Sequence, residues 1–374
     1  MDIFVIINLL GGLAFFMYGM NVLSESLKKT AGGKLEKLLR KATDNPFKGL
    51  AIGAVITIAI QSSSAMTVML VGFVNSGIME LYQTIGVIFG SDVGTTLTAW
   101  ILSLSGIDSQ NNIALQLLQP KNFCLIFALI GVILLMVCKS QRKKEIGLMF
   151  LGFAVLMTGM TMMSGSMAGL KEDEGFTNLL LKFDNPILGV LAGTLVTGVI
   201  QSSAASIGIL QSMSTTGAIT WGVAIPIIMG ANIGTCATAI LSSFGVNRNA
   251  KRVTVIHVAI KVIGTILWLV VFYGINAVHP FGFMSKTINF VGIALFHTIF
   301  NTVNTLVMFP FQKQLVKLAR FFVKDSEEDN EFQLDERIML TPSIAINECS
   351  IIMTKMVNRV EEGLNRSTEM LLGE

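Results

Sequence analysis

Two short polar clusters lie within otherwise apolar stretches of the sequence. Gln61-Ser62-Ser63-Ser64 is followed 140 residues later by Gln201-Ser202-Ser203. Serine hydroxyls donate hydrogen bonds to anions, and the free N–H groups at a helix start favour the same ligands through the helix dipole. Glutamine and hydroxyl oxygens are hard, neutral ligands suited to Na⁺. The clusters therefore predict a site for a small oxyanion and Na⁺. The predicted oxyanion ligands are Ser62, Ser63, Ser64, Ser202 and Ser203. Three of the predicted Na⁺ ligands belong to the same regions: Gln61, Gln201 and Ser206.

The same spacing of 140 residues relates other parts of the chain. It pairs Asp44-Asn45-Pro46 with Asp184-Asn185-Pro186, and Gly19-Met20 with Gly159-Met160. An ungapped match over this length indicates two copies of one unit. In a membrane chain, duplicated units with central polar clusters are typical of a transporter whose substrate site lies between the halves.

A second duplicated element adds candidate cation ligands. Residues 90–96 (Gly-Ser-Asp-Val-Gly-Thr-Thr) match residues 230–236 (Gly-Ala-Asn-Ile-Gly-Thr-Cys). The paired glycines indicate close helix packing or local unwinding. Asp92 is a carboxylate within an apolar segment and hence a functional candidate, whereas its counterpart Asn232 is neutral. Two interpretations stay open: Asp92 binds Na⁺, or it forms an ion pair with Lys261.

Composition places the chain in a membrane. It is 52% hydrophobic and 14% charged, with a net charge of +3, whereas soluble domains carry about 25% charged residues. Seven segments are long enough to span the roughly 30 Å of hydrocarbon in a bilayer. The predicted spans are 5–27, 82–105, 121–138, 146–165, 221–244, 253–274 and 286–311.

Other functional classes lack support in the sequence. The four cysteines have no paired metal-ligand spacing, so we expect no transition metal and no cofactor beyond Na⁺ as coupling ion. No basic run interleaved with aromatics predicts nucleic-acid binding. No Ser–His–Asp order, metal motif or Walker loop indicates an enzyme.

The two regions around the polar clusters, 46–77 and 186–217, admit two interpretations. Each begins with a proline, Pro46 or Pro186, that follows Asp-Asn, a helix-start signal. A helix from Pro46 to Gln61 rises only about 22–24 Å, which is short of a full crossing. Each region is therefore either a re-entrant helical hairpin or a single crossing helix.

The basic residues favour the hairpins. If both regions are re-entrant hairpins, all of the basic clusters fall in the cytoplasm: Lys28–Lys41, the predicted loop Lys139–Lys144 and the basic residues after 311. Crossing helices would place Lys139–Lys144 outside. We therefore predict an all-α integral membrane protein with two inverted-topology repeats, each with a re-entrant hairpin and about three full transmembrane helices. The N-terminus lies outside and the C-terminus is cytoplasmic. Repeat 1 covers residues 1–140 and repeat 2 covers 141–312.

These motifs resemble the bacterial branch of the type II sodium–phosphate cotransporter family. The resemblance covers roughly residues 5–311 and rests on both Gln-Ser-Ser motifs, the elements at 90–96 and 230–236, and Phe296–Asn301. It implies inverted repeats in a bacterial inner membrane, with phosphate and Na⁺ bound at the hairpins. It assigns phosphate to Ser62, Ser63, Ser202 and Ser203, and cation or supporting roles to Gln61, Gln201, Thr95, Asn232 and Thr235. The sequence departs from the family pattern at Asp92, Ala204 and Lys261.

The last segment, 313–374, changes character. Residues 325–331 form an acidic linker, and an amphipathic run then continues to Leu372. It resembles the start of the PhoU-like helical domain, but only about 40 residues remain, too few to bury a core of their own. We expect either an incomplete domain or a single cytoplasmic helix.

The sequence thus predicts Na⁺-coupled symport of inorganic phosphate. The expected partners are phosphate, Na⁺ and the lipid bilayer, and a homodimer is one option for the oligomeric state. Two alternatives stay open. One is Na⁺-coupled transport of another small oxyanion or a dicarboxylate. The other is a phosphate-sensing membrane protein that acts through its tail.

Overall fold

The computed structural model describes residues 3–31, 45–106, 120–168, 175, 183–324 and 342–372. Within these ranges the regular structure is helical, apart from one isolated bridge between Thr220 and Thr287. The helices are α1 (Ile3–Ala31), α2 (Pro46–Ile60), α3 (Ser63–Asn75), α4 (Leu81–Gly94), α5 (Thr96–Ser103), α6 (Pro120–Val137), α7 (Gln141–Ala168), α8 (Pro186–Ile200), α9 (Ser203–Ser214), α10 (Trp221–Gly234), α11 (Cys236–Ser242), α12 (Arg248–Val278), α13 (Phe290–Met308), α14 (Gln312–Phe322) and α15 (Pro342–Leu372).

Six segments of the described chain are long and apolar enough to cross a membrane. They are Ile3–Thr30, Leu81–Gly106, Gln141–Met167, Trp221–Ser242, Arg248–Val278 and Phe290–Phe322. Each coincides with one of the seven predicted spans. The remaining prediction, 121–138, falls on α6, which belongs to the shorter apolar helices. The all-helical, multi-pass character predicted from the sequence is therefore confirmed.

One predicted boundary was wrong. The basic stretch predicted as a loop at 139–144 lies largely in the first turn of α7, which begins at Gln141. Lysine and arginine are good helix formers whose long side chains can extend to the membrane surface, so a basic cluster need not interrupt a helix. The predicted spans 82–105 and 221–244 are confirmed as long enough to cross, and each contains a junction between two helices, at Thr95 and at Thr235.

The first helix pair, α2 and α3, reverses the direction of the chain. A Cβ added at Gly86 of α4 would lie 2.5 Å from the Pro46 carbonyl oxygen, and one at Gly94 would lie 2.6 Å from that of Ala54. Residue numbers thus increase along α2 and α4 together, so these helices pack in parallel. Because α3 connects them, it must return the chain to the level at which α2 began.

The second helix pair, α8 and α9, repeats this arrangement. A Cβ at Gly230 of α10 would overlap the Val190 carbonyl oxygen, and one at Gly234 would lie 2.7 Å from that of Thr194. These contacts make α8 parallel to α10, with α9 as the returning helix. Each helix pair therefore has the geometry of a hairpin. That the hairpins enter a membrane and leave it on the same side stays a prediction.

The equivalent helices α1 and α7 run in opposite directions. A Cβ at Gly12 would lie 2.9 Å from the Gly159 carbonyl oxygen, and one at Gly19 would lie 2.6 Å from that of Gly152. Gly19 and Gly159 occupy corresponding positions in the two copies. Antiparallel packing of corresponding helices is the relation expected of inverted copies, but the inverted topology of the whole repeats and their boundaries stay predictions.

The C-terminal segment contributes two helices. The carbonyl oxygen of Val323, just after α14, accepts hydrogen bonds from the buried Arg252 of α12 at 3.1 and 2.8 Å. The linker predicted at 325–331 lies outside the described residues. Helix α15 lies within the predicted amphipathic run, whereas its cytoplasmic location and relation to a PhoU-like domain stay predictions.

Candidate functional site

Both helix pairs break at a glutamine in the left-handed backbone conformation. Gln61 has φ 57° and ψ 25°, and Gln201 has φ 58° and ψ 24°. Among the described residues, they are the non-glycine residues with positive φ. This conformation is costly for a side chain with a Cβ and tends to occur at functional positions. It ends the first helix of each pair and turns the backbone towards the serines.

The helix starts were read correctly from the Asn-Pro signals. Asn45 Oδ1 accepts a hydrogen bond from the Phe47 N–H at 2.8 Å, and Asn185 Oδ1 accepts one from Ile187 at 3.0 Å. Proline then occupies the first position of α2 and of α8. The missing proline N–H costs nothing there, because the first N–H groups of a helix have no partner within it.

The first serine of each motif caps the returning helix. Ser62 Oγ accepts a hydrogen bond from the Ala65 N–H at 3.1 Å, and Ser202 Oγ accepts one from the Ala205 N–H at 3.2 Å. A hydroxyl that accepts in this way retains its own proton for a further acceptor. Each capping serine can therefore stabilise its helix and donate to an anion.

The next residues supply backbone donors. The first helical bond of α3 runs from the Met66 N–H to the Ser62 carbonyl oxygen, so the N–H groups of Ser63 and Ser64 precede it. In α9 the corresponding donors belong to Ser203 and Ala204. Free N–H groups and the positive end of the helix dipole together favour an anion.

The two motifs line one cavity of about 490 Å³, a size within the range of small-molecule sites. The predicted residues on its wall are Gln61, Ser62, Ser63, Ser64, Thr95, Gln201, Ser202 and Ser203. All five predicted oxyanion ligands therefore share this space with three of the predicted cation ligands. Residues that are far apart in sequence are brought together by the two breaks.

Helix α1 supplies wall residues that the sequence analysis did not select. Lys28, Asn21 and Ser24 face the same cavity, and Ser24 Oγ donates to the Ile60 carbonyl oxygen at the end of α2. Lys28 had been interpreted only as part of a basic, topology-setting cluster. No local sequence pattern indicates this role, because the place of Lys28 at the cavity depends on how α1 packs in the fold.

Two predicted cation ligands have their oxygens engaged near the break. Gln61 Oε1 accepts a hydrogen bond from Thr98 Oγ1 at 2.9 Å, while its Nε2 donates to the Ile58 carbonyl oxygen at 2.6 Å. Ser206 Oγ accepts from Thr197 Oγ1 at 2.8 Å and donates to the Ser202 carbonyl oxygen at 3.2 Å. Ser206 lies behind the break and does not line the cavity.

The remaining predicted cation ligands cluster away from the cavity wall. Thr235 Oγ1 donates to the Asn232 carbonyl oxygen at 2.6 Å. Asn232 Oδ1 accepts from Lys261 Nζ at 3.1 Å, and the same ammonium lies 2.7 Å from Asp92 Oδ1. Of the two interpretations of Asp92, the ion pair is thus the arrangement that the structure contains, and binding of Na⁺ stays a prediction.

An all-helical membrane protein whose two broken helix pairs meet at one polar cavity is the class that the fold and the site define. The chain belongs to the Na⁺/Pi-cotransporter family, whose profile matches residues 15–165 and 166–297. The family predicted from the sequence is therefore confirmed, and it is a family of transporters.

Relatives cover the chain to different extents. The uncharacterized protein YqeW of Bacillus subtilis is 30% identical over 85% of this chain and 98% of its own length. YjbB of Salmonella typhimurium, named provisionally as an inorganic phosphate export protein, is 24% identical over 99% of this chain. The chain spans 66% of that protein's length. Sodium-dependent phosphate transport protein 2A of Rattus norvegicus is 37% identical over 26% of this chain and 15% of its own length. No solved structure matches the chain.

Proposed function

We propose that this chain carries inorganic phosphate across a bacterial cell membrane together with Na⁺. The observation that supports this most directly is that both Gln-Ser-Ser motifs line a single cavity. Membership of the Na⁺/Pi-cotransporter family supports the identity of both solutes.

Phosphate is held between the starts of α3 and α9. Ser62, Ser63 and Ser64 donate from one side, and Ser202 and Ser203 donate from the other. The two helix dipoles add positive potential at mid-cavity. Lys28 supplies a cationic side chain on the same wall, which compensates for the absence of basic residues at either break.

Na⁺ binds beside phosphate and offsets its charge. Gln61, Gln201 and Thr95 offer oxygen ligands on the cavity wall, in keeping with the preference of hard cations for oxygen. Thr235 and Ser206 serve as supporting oxygens behind it. Asp92 and Asn232 form a separate cation position with Lys261.

Transport follows from the opposed directions of the two helix pairs. The first pair ends at Asn75 beside Asn247, at the start of α12. Thr220, after the second pair, bridges to Thr287 in the segment between α12 and α13. The two exits therefore lie towards opposite ends of α12. In our proposal, the inverted repeats enter the membrane from opposite sides and expose the cavity alternately.

Flux measurements in proteoliposomes test this function. The purified full chain should accumulate labelled phosphate when a Na⁺ gradient is imposed and should not when choline replaces Na⁺. Excess unlabelled phosphate should suppress uptake far more than sulfate or succinate does. Uptake that ignores the Na⁺ gradient would refute symport, and stronger suppression by sulfate or succinate would refute phosphate as substrate. Phosphate binding without flux of any anion would favour the sensor.

The name of YjbB raises phosphate export as a second candidate. A symporter runs in the direction of its summed gradients, so the same site serves export when internal phosphate is high. Vesicles loaded with phosphate and Na⁺ should then release phosphate when diluted into Na⁺-free buffer. Retention of phosphate under those conditions, with uptake intact, would argue against export.

A further inference from the structure

A lysine side chain lies between the two copies of the duplicated glycine element. Lys261 of α12 places Nζ 2.7 Å from Asp92 Oδ1 and 3.1 Å from Asn232 Oδ1. Asp92 and Asn232 are equivalent residues of the two copies, 140 positions apart. The side chains of Lys261 and Asp92 are only 3% and 2% exposed. One oxygen from each copy thus holds one buried positive charge.

The position has the chemistry of a cation site. A carboxylate oxygen and an amide oxygen are both hard ligands, and hard oxygen ligands suit Na⁺. An ammonium group carries the same charge as Na⁺ but is attached to the helix. It can neutralise Asp92 permanently, whereas a Na⁺ ion at the same point would be bound and released during a transport cycle.

The spacing of polar residues around Lys261 recurs in the next helix without a lysine. His257, Lys261 and Thr265 of α12 have the same spacing as His297, Asn301 and Thr305 of α13. Helix α12 packs against α3, α4, α10 and α11, and α13 packs against α4, α5, α9 and α10, so each of the two helices contacts both copies. Asparagine therefore stands in α13 where α12 has lysine.

Stability alone does not account for the lysine. The cost of removing two charges from water offsets most of their attraction, unless further hydrogen bonds satisfy the remaining atoms. Asp92 Oδ2 is buried and has no hydrogen-bond partner among the described residues. A costly, incompletely satisfied charge inside a membrane protein is typical of an ion pathway.

We propose that Lys261 is a tethered cation that fills a Na⁺ site formed by Asp92 and Asn232. This inference rests on the proposed function and concerns its ion requirement. With the ammonium in place, the chain moves one Na⁺ fewer per phosphate than the same chain would with asparagine at position 261. Lysine at this position thus sets the coupling ratio.

The substitution Lys261→Asn tests the proposal, because it introduces the residue found at position 301. In proteoliposomes, the ratio of labelled Na⁺ to labelled phosphate taken up should rise by about one ion, and the charge moved per phosphate by about one unit. Lys251→Asn is the matched control, because it removes an exposed lysine from the same helix. Its ratios should equal those of the unmodified chain.

A binding measurement gives a readout independent of flux. Thermal unfolding in detergent is followed in NaCl and in choline chloride at equal ionic strength. Lys261→Asn should gain a Na⁺-dependent rise in unfolding temperature beyond that of the unmodified chain and of Lys251→Asn, because a ligand stabilises the folded state that binds it. If the variant folds only in NaCl, Na⁺ has replaced the ammonium, which also supports the proposal.

The double variant Asp92→Asn with Lys261→Asn should cancel the effects of Lys261→Asn alone. It lacks the carboxylate that would hold the additional ion, so its Na⁺-to-phosphate ratio and its Na⁺ stabilisation should return to those of the unmodified chain. A folded Lys261→Asn variant with unchanged Na⁺ stabilisation would overturn the proposal, as would a variant that stays unfolded at high Na⁺. If the unmodified chain moved no phosphate, the proposed function would fail, while the unfolding comparison would still decide the role of Lys261.

Discussion

Asn75 at the end of α3 and Asn247 at the N-cap of α12 are joined by two hydrogen bonds. The Asn247 N–H donates to Asn75 Oδ1, and Asn247 Nδ2 donates to the Asn75 carbonyl oxygen, both at 2.8 Å. The exit of the first helix pair is thereby fixed to the end of α12 that carries Arg248 and Lys251. Because basic residues mark the cytoplasmic side, this contact predicts where the first pair opens.

Cysteine labelling tests that side. Gly77 and Gly217 have φ of 73° and 69°, so a cysteine at either would be strained. The neighbouring positions Ile78 and Ala218 are equivalent in the two copies and partly exposed. In a chain without its native cysteines, Ile78→Cys should react with an impermeant reagent from the cytoplasm and Ala218→Cys from outside. A chain that retains Cys349 alone reports the side of α15. Labelling of both new positions from one side would contradict opposed helix pairs.

Ser63 and Ser203 should contribute to phosphate affinity. Each is buried at the cavity, with 6% and 9% of its surface exposed. Replacing either by alanine removes a donor to a charged ligand, worth about 1.5–3 kcal/mol, or roughly 10- to 150-fold in dissociation constant. Equilibrium binding of labelled phosphate measures the change. Ser166→Ala on α7 is the control, because Ser166 lies away from this cavity. Unchanged affinity in folded variants would leave the two serines with a packing role.

Ser62 should affect stability as well as binding, because it caps α3. Ser62→Ala removes the acceptor for the Ala65 N–H and should lower the free energy of unfolding by about 0.5–2 kcal/mol. Ser62→Gly should cost only a few tenths of a kcal/mol, since glycine is tolerated at this position. Unfolding curves in detergent compare the two. Equal losses in both variants would show that the cap contributes little.

The glycine contacts between α2 and α4 should be intolerant of added atoms. A Cβ at Gly90 would overlap the Leu50 carbonyl oxygen, so Gly90→Ala should destabilise the fold by about 1–3 kcal/mol. Gly72 of α3 and Gly198 of α8 have no heavy atom within 4 Å of an added Cβ. Alanine at either should be neutral or stabilise by up to about 1 kcal/mol. A Gly90→Ala variant as stable as Gly72→Ala would mean that the helices separate easily.

Lys28 should assist phosphate capture through its charge. It lines the cavity from α1, whereas the adjacent Lys29 does not. Lys28→Gln should raise the half-saturating phosphate concentration several-fold, and the difference should shrink as salt screens the charge. Lys29→Gln is the matched control. Equal effects of the two substitutions at low salt would indicate that Lys28 does not assist phosphate capture and serves only to set the membrane orientation.

Local sequence signals predicted much of this architecture. Asn-Pro marked the starts of α2 and α8, and the Gln-Ser pairs marked the breaks, because caps and left-handed turns depend on a few adjacent residues. Lys28 and Lys261 were harder to place. Their roles depend on which helices pack together, and no local pattern shows that Lys261 reaches Asn232 as well as Asp92. The segment 107–119 and the linker at 325–331 lie outside the described residues.

The left-handed glutamines have a mechanical consequence. In the first helix pair, α2 is in backbone contact with α4, whereas the most extensive packing of α3 is against α12. The break at Gln61 therefore joins a helix held on α4 to a helix whose main contact is α12, and Ser62 lies between the two. A small rotation about one or two backbone angles would separate the donors of α3 from the cavity wall. The residues proposed to hold the anion would then also form the hinge, so loading of the site and its rigidity would be physically inseparable.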